Sequence, residues 1–139
     1  MTSQIGSSNV KKIITCKMTT KKDAKALIVD DDSMAHTLHK HLLSRFGFKT
    51  FTAENGKQAI ELFRSGEHFD LITMDFQMPV MDGIEATKTL RDMGVDSKIL
   101  GVSASDKSAV MELFIEAGVD HFFTKPLTLD KLARFFKNI

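Results

Sequence analysis

Two apolar runs in this chain end on carboxylates. "ALIVDDDS" closes on Asp30, Asp31 and Asp32, and "LITMDFQMPVMDG" climbs to Asp75 before breaking into a Pro-containing loop. An unpaired carboxylate is costly to bury, so a strand that ends on one either surfaces there or exists to present the charge. Two later runs end on other reactive groups: "KILGVSA" offers the Ser103 hydroxyl and "VDHFFTK" the Lys125 amine. If these four ends meet, the carboxylates repel one another and call for a cation. A hard divalent ion fits, and Mg2+, with Mn2+ as the alternative, binds through one or two carboxylates, waters and a phosphate. Beside such an ion Asp75 is a nucleophile for a phosphoryl group, forming an aspartyl phosphate. Lys125 would hold one phosphoryl oxygen and Ser103 would donate to another, because this transfer needs mainly positioning and charge neutralisation.

The elements that must position these groups alternate from Asp23 onward. Strands are expected at 25–30, 69–75, 98–104 and 119–125, which are short apolar runs, and at 48–53, where apolar and polar residues alternate. Between them lie amphipathic helices. The first starts at Ser33 as N-cap, with Ala35, Leu38, Leu42 and Phe46 on its apolar face. The second opens at Asn55 and is closed by Gly66. The third starts at Asp82-Gly83, with Ile84, Thr87, Leu90 and Arg91 spaced along it. The fourth is capped by Asp106 and ended by Gly118, and the last carries Leu129, Leu132, Phe135 and Phe136. Strands apolar on both faces imply a parallel sheet covered by helices on each side. The expectation is an α/β, flavodoxin-like, doubly wound five-stranded parallel sheet with five helices and order 2-1-3-4-5. In such a sheet the site lies where strand order reverses, between strands one and three. That brings Asp30, Asp31 and Asp75 to one edge, with Ser103 and Lys125 alongside.

Composition bounds the rest. A length of 139 residues, 42% of them apolar and 27% charged, suits one domain with a real core. A net charge of +1 argues against nucleic acid or an acidic membrane as partner. The single Cys16 fits a reducing compartment, and no apolar run approaches the roughly 20 residues that span a bilayer. A cytoplasmic location is expected, with the nucleus as the second choice. Residues 1–22 carry five Lys and no acidic residue, and read as a basic, flexible tail outside a domain at 23–139. His36, His39 and His41 crowd the first helix and read as partly exposed surface. The eight Met residues read as core packing.

"LIVDDDSM", "MDFQMPVMDG", "GVSAS" and "FFTKP", in this order and spacing, resemble the receiver domain of two-component response regulators over 23–139. The resemblance implies that Asp75 is the phospho-acceptor and that Asp30 and Asp31 are the acid pair. It places Mg2+ on Asp31, Asp75 and the backbone oxygen of Gln77, with Asp30 acting through water. It makes Ser103 the switch hydroxyl, in place of the more frequent Thr, and Lys125 the phosphoryl-binding lysine. Phe122 stands where receivers carry an aromatic whose rotamer follows phosphorylation; with Phe instead of Tyr, a hydroxyl contact is missing. Gln77 and Ser105 flank the site and would tune attack by water. Lys125-Pro126 resembles the cis peptide of the family.

A phosphohistidine on a histidine-containing phosphotransfer protein or a histidine kinase is the implied donor. The domain would be a switch or a phosphate sink, monomeric or weakly dimeric, with no enzymatic role beyond its own phosphorylation and dephosphorylation or an action on phosphotransfer proteins. Ending directly after its last helix, the chain is expected to lack a DNA-binding output domain. Its motifs and basic leader are similar to stand-alone regulators of plant cytokinin signalling, with a bacterial single-domain regulator as the neighbouring variant. One competing class is a haloacid-dehalogenase-type phosphatase with Asp30 and Asp32 as a D-x-D pair. It would need a late acidic pair and usually a cap insertion, whereas the late strand ends "FFTKPL" and every connection is short. A purely structural interaction domain is disfavoured because no site residue is replaced.

Overall fold

The structure, a computed structural model, describes residues 23–137. Five strands alternate with five helices: β1 (Lys25–Val29), α1 (Ser33–Arg45), β2 (Lys49–Ala53), α2 (Gly56–Arg64), β3 (Leu71–Asp75), α3 (Gly83–Asp92), β4 (Lys98–Ser103), α4 (Ser108–Ala117), β5 (His121–Thr124) and α5 (Leu129–Lys137). All neighbouring strands pair in parallel, in the order β2-β1-β3-β4-β5. The expected fold class and strand order are those observed. The expectations for residues 1–22, Cys16 included, fall outside the described residues. Among the described residues no helix is long and apolar enough to cross a membrane.

The central strands are buried on both faces, which is why they read as unbroken apolar runs. Alternation along each strand divides the core in two. Ala26, Ile28, Leu71, Leu100 and Phe123 pack with Leu42 and Leu43 of α1, Phe46, and Leu132 and Phe136 of α5. Leu27, Val29, Ile72, Met74 and Ile99 face Ile60, Leu90 and Phe114 of α2, α3 and α4. The ladders are shorter than the apolar runs, so Asp30 and Lys125 each stand one residue beyond a strand.

Helix boundaries show where local pattern misleads. Asn55 and Asp82 cap α2 and α3, accepting from Gln58 N–H at 2.9 Å and Glu85 N–H at 2.8 Å. Asp32, not Ser33, caps α1: its backbone is extended and its Oδ1 accepts from Met34 N–H at 3.0 Å, leaving Ser33 already helical. At α4 the cap position belongs to Lys107, which makes no side-chain cap, and Asp106 lies one residue too early. Gly118 ends α4 as expected, at φ 115°, where a Cβ would be strained.

The inner face of α1 is also rotated from its expected position. His39, Leu42 and Leu43 turn inward with Phe46, while Leu38 is 41% exposed. This set has the same helical spacing, but it buries a histidine that polarity assigns to solvent. His36 is half-buried as well, and only His41 of the three is exposed. Nor are the methionines uniformly core: Met74 is fully buried, whereas Met34, Met93 and Met111 are exposed.

Candidate functional site

Asp30, Asp75 and Lys125 follow Ile28, Thr73 and Phe123 by two residues each, so all three point to the α1/α5 side of the sheet. That parity explains their meeting. Lys125 Nζ lies 2.9 Å from Asp30 Oδ2 and 3.0 Å from Asp75 Oδ1, one ammonium shared by two carboxylates. Asp31 joins them from the solvent side: carboxylate oxygens of Asp30, Asp31 and Asp75 lie within 4.8 Å of one another.

Asp30 is buried and held from several directions. Its N–H donates to Ala53 O at 3.1 Å, its Oδ1 accepts from Asp32 N–H at 3.0 Å, and His36 Nε2 reaches its carbonyl oxygen. Asp75 is 8% exposed. Burial pushes its carboxyl up to about 6, with the hydrogen bond from Lys125 pulling the other way and the charge of Asp30 adding to the rise. For Lys125 burial works against the ammonium, but hydrogen bonds and charge from the two aspartates outweigh it, and its pKa is raised. Three carboxylates against one ammonium leave a negative site. Its all-oxygen donor set fits a hard divalent cation.

The loop after Asp75 is closely pinned. Phe76 N–H donates to Val102 O at 3.2 Å, and Gly83 N–H donates to Phe76 O at 2.9 Å. A Cβ on Gly83 would stand 1.9 Å from the backbone oxygen of Asp75, so α3 starts against the end of β3 only because this residue is glycine. Asp31, Phe76, Gln77, Met78 and Asp82 line an open depression beside the cluster, which places Gln77 on the same rim as Asp31.

The other expected residues stand on the adjoining strand ends. Ser103, the last residue of β4, is buried, and its Oγ accepts from Ser105 N–H at 3.0 Å. Ser105 is half-buried and accepts from Lys107 N–H at 3.2 Å. Lys125 N–H donates to Ser103 O at 2.8 Å, tying the two strand tips together. The Lys125-Pro126 bond is cis. Lys131 Nζ donates to Thr124 O and Pro126 O, both at 2.8 Å, and so braces that turn. Phe122 is half-buried with its ring 5.7 Å from that of Phe114. Asp32 is exposed and occupied by its cap, so the D-x-D pair of the competing class does not form at the cluster.

Sequence reasoning missed Gly83 and the inward histidines. Gly83 follows Asp82 at a helix start, a position glycine also occupies without any site. His36 and His39 carried a signal in their three-residue spacing, but nothing local says that this face turns inward.

Residues 26–137 match the profile of the response regulator receiver domain. The "Two-component response regulator 24" of Arabidopsis thaliana is 48% identical over 107 residues, 77% of either chain. Among solved structures, the Thermotoga maritima response regulator TrrA, in complex with Mg2+ and BeF, is 31% identical with a TM-score of 0.72, covering 83% of this chain and 97% of that one. A co-crystal of the Saccharomyces cerevisiae histidine phosphotransfer protein Ypd1 with the receiver domain of its downstream response regulator Ssk1 is similar at 26% identity and a TM-score of 0.74. It covers 83% of this chain and 87% of that chain.

Proposed function

The chain belongs to the response regulator receiver domain family, and on that premise we propose that it accepts a phosphoryl group from a phosphohistidine onto Asp75. The bond from phosphorus to the donor imidazole nitrogen breaks as a bond to an Asp75 oxygen forms, and the electron pair leaves with the nitrogen. Asp31, Asp75 and the Gln77 backbone oxygen would hold Mg2+, with Asp30 acting through water. The bound ion would neutralise charge on the phosphoryl oxygens. The chain's own residues do the rest. Asp30, backed by Asp32 N–H and His36, keeps Lys125 aimed at Asp75. Lys125 then pairs with a phosphoryl oxygen, and Ser103, whose Oγ accepts from Ser105 N–H, has its own O–H to donate to another. Gln77 and Ser105 set the approach of hydrolytic water, and so the lifetime of the acyl phosphate.

The observation that carries this reading is the Lys125 ammonium at 2.9 Å and 3.0 Å from two aspartates on adjacent strands. The Ssk1 likeness supports a histidine phosphotransfer protein as donor, with a histidine kinase as the other source. The plant relative supports placement in a plant relay of the cytokinin type, as a switch or a sink. A small-molecule phosphodonor with Mg2+ should add one base-labile phosphoryl group, read as a mass increase. Asp75→Asn should abolish it and Asp32→Ala should retain it. Label that persists in Asp75→Asn but vanishes in Asp30→Asn would transfer the chemistry to the D-x-D pair. A sink should empty a phosphorylated carrier without accumulating label, whereas a switch should stay labelled.

A further inference from the structure

Phe76, the residue directly after Asp75, meets Phe114 of α4 edge-on, with centroids 6.0 Å apart and planes at 69°. Phe114 in turn meets Phe122 of β5 at 5.7 Å and 47°. Phe114 is fully buried. It lies where one strand residue has no side chain: Gly101 of β4 pairs with Met74 on one side and Phe122 on the other. A Cβ there would stand 3.0, 3.1 and 3.3 Å from three ring carbons of Phe114. The ring thus fills the place of the missing side chain, between the two neighbours of Gly101. Ser103 is the next residue on the same face of β4.

Three rings in contact therefore run from the acceptor loop to β5, beneath Ser103. Phe122 has no hydroxyl with which to anchor itself either inward or outward, so its position rests on packing alone. A close-packed core passes from one arrangement to another and does not deform continuously. Phe114, held between Phe76 and Phe122 and pressed on Gly101, cannot stay in place if either neighbour moves. We propose that Phe114 is a positioning residue that locks the loop after Asp75 to Phe122, so that a change at the acceptor is read at β5 through ring packing. This rests on the phospho-acceptor reading of Asp75 given above.

The test follows two signals in the full chain, with Mg2+ and a small phosphodonor: phosphoryl occupancy by mass, and the Phe122 backbone amide by NMR. In the wild type, phosphorylation should shift the Phe122 amide. Phe114→Leu should leave Asp75 phosphorylated yet reduce that shift to less than half. Gly101→Ala, which crowds the ring without touching the acceptor, should do the same. Combining the two should recover stability lost in Gly101→Ala, since the smaller side chain relieves the contact. If Phe114→Leu does not fold, Phe114→Met and Gly101→Ala carry the same comparison. A full Phe122 response in folded, phosphorylated variants overturns the proposal, as does a phosphorylated wild type whose Phe122 amide stays still. Absence of label in the wild type overturns the acceptor reading, and this one with it, and appears in the mass measurement and not the spectrum.

Discussion

The two ends of the sheet use their polar atoms differently. At the amino-terminal edge, charged groups close onto backbone. Arg91 donates to Gly118 O at 2.9 Å and to Val95 O and Ser97 O at 2.8 Å, and meets Asp120 at 3.0 Å. Asp120 also accepts from Ile99 N–H, Asp70 accepts from Lys25 N–H, each at 2.8 Å, and Ser97 Oγ donates to Phe69 O. At the carboxyl-terminal edge, Asp30 and Asp75 share Lys125, and Asp31 adds a further charge. Both edges carry acids at strand tips. Where an acid answers a neighbour's N–H it is a structural tie. Where acids answer one lysine between them, negative charge is left unneutralised.

If this division holds, the largest stability effect belongs to the amino-terminal edge. Arg91→Ala removes the donor that serves three carbonyls and the charge that meets Asp120, leaving Asp120 only Ile99 N–H, and should cost about 3 kcal/mol in urea unfolding. The folded fraction should still phosphorylate like the wild type; a slower reaction there would erase the distinction between the edges.

An effect of similar size is concealed at the other edge, in metal-free protein. Burial lowers His39 from 6.5 to about 4, the nearby charge of Asp30 opposing it. The unfolded chain then takes up this proton first, so His39 contributes full stability above pH 6.5 and loses about 3 kcal/mol as pH falls towards 4. Asp75 works in the opposite sense. Raised from 3.8 to about 6, it contributes full stability below pH 3.8 and loses about 3 kcal/mol as pH rises to 6. The two slopes nearly cancel in the wild type. Asp75→Asn should unmask stability that rises between pH 4 and 6.5, and His39→Leu should unmask stability that falls between pH 4 and 6. Melting curves in a chelator across that range separate them; slopes of the same sign would refute the assignment.

A smaller change is expected from Lys125→Met. Without the ammonium, two buried carboxylates repel, and metal-free protein should lose about 2 kcal/mol. Mg2+ should restore that loss and bind several-fold more tightly, because its competitor is gone. Weaker Mg2+ binding on titration would mean that Lys125 shapes the ligand set. Smallest is Asp32→Ala, about 1 kcal/mol for a lost N-cap with phosphorylation unchanged. A loss of phosphorylation there would return Asp32 to the site.

Much of this organisation was legible beforehand. Strands buried on both faces announce themselves as apolar runs, and the helices between them by spacing, so strand number, order and the end of the sheet where Asp30, Asp31 and Asp75 gather followed. Asp75 stood out because a buried strand seldom ends on a charge without purpose. The errors have a common origin. Leu38 and His39 are neighbours on α1, and which of them turns inward depends on how the helix beds down, with Phe46 set edge-on against Phe136 at 5.0 Å. Ser33 and Asp32 are both good caps, and only the extended backbone at Asp32 chooses between them. Met packs or protrudes according to its neighbours, not its type.

By itself the sequence determined which residues end the strands, since apolar runs and the polar residues that stop them are local facts. It also determined that glycine stands at Gly83 and Gly101. Only the tertiary structure decided that Lys125 reaches an aspartate 95 positions earlier, that Asp30 and Asp75 face the same side, and that a histidine lies beneath them. Those outcomes depend on strand register and helix rotation, which are settled when all the layers pack together and not within any one segment.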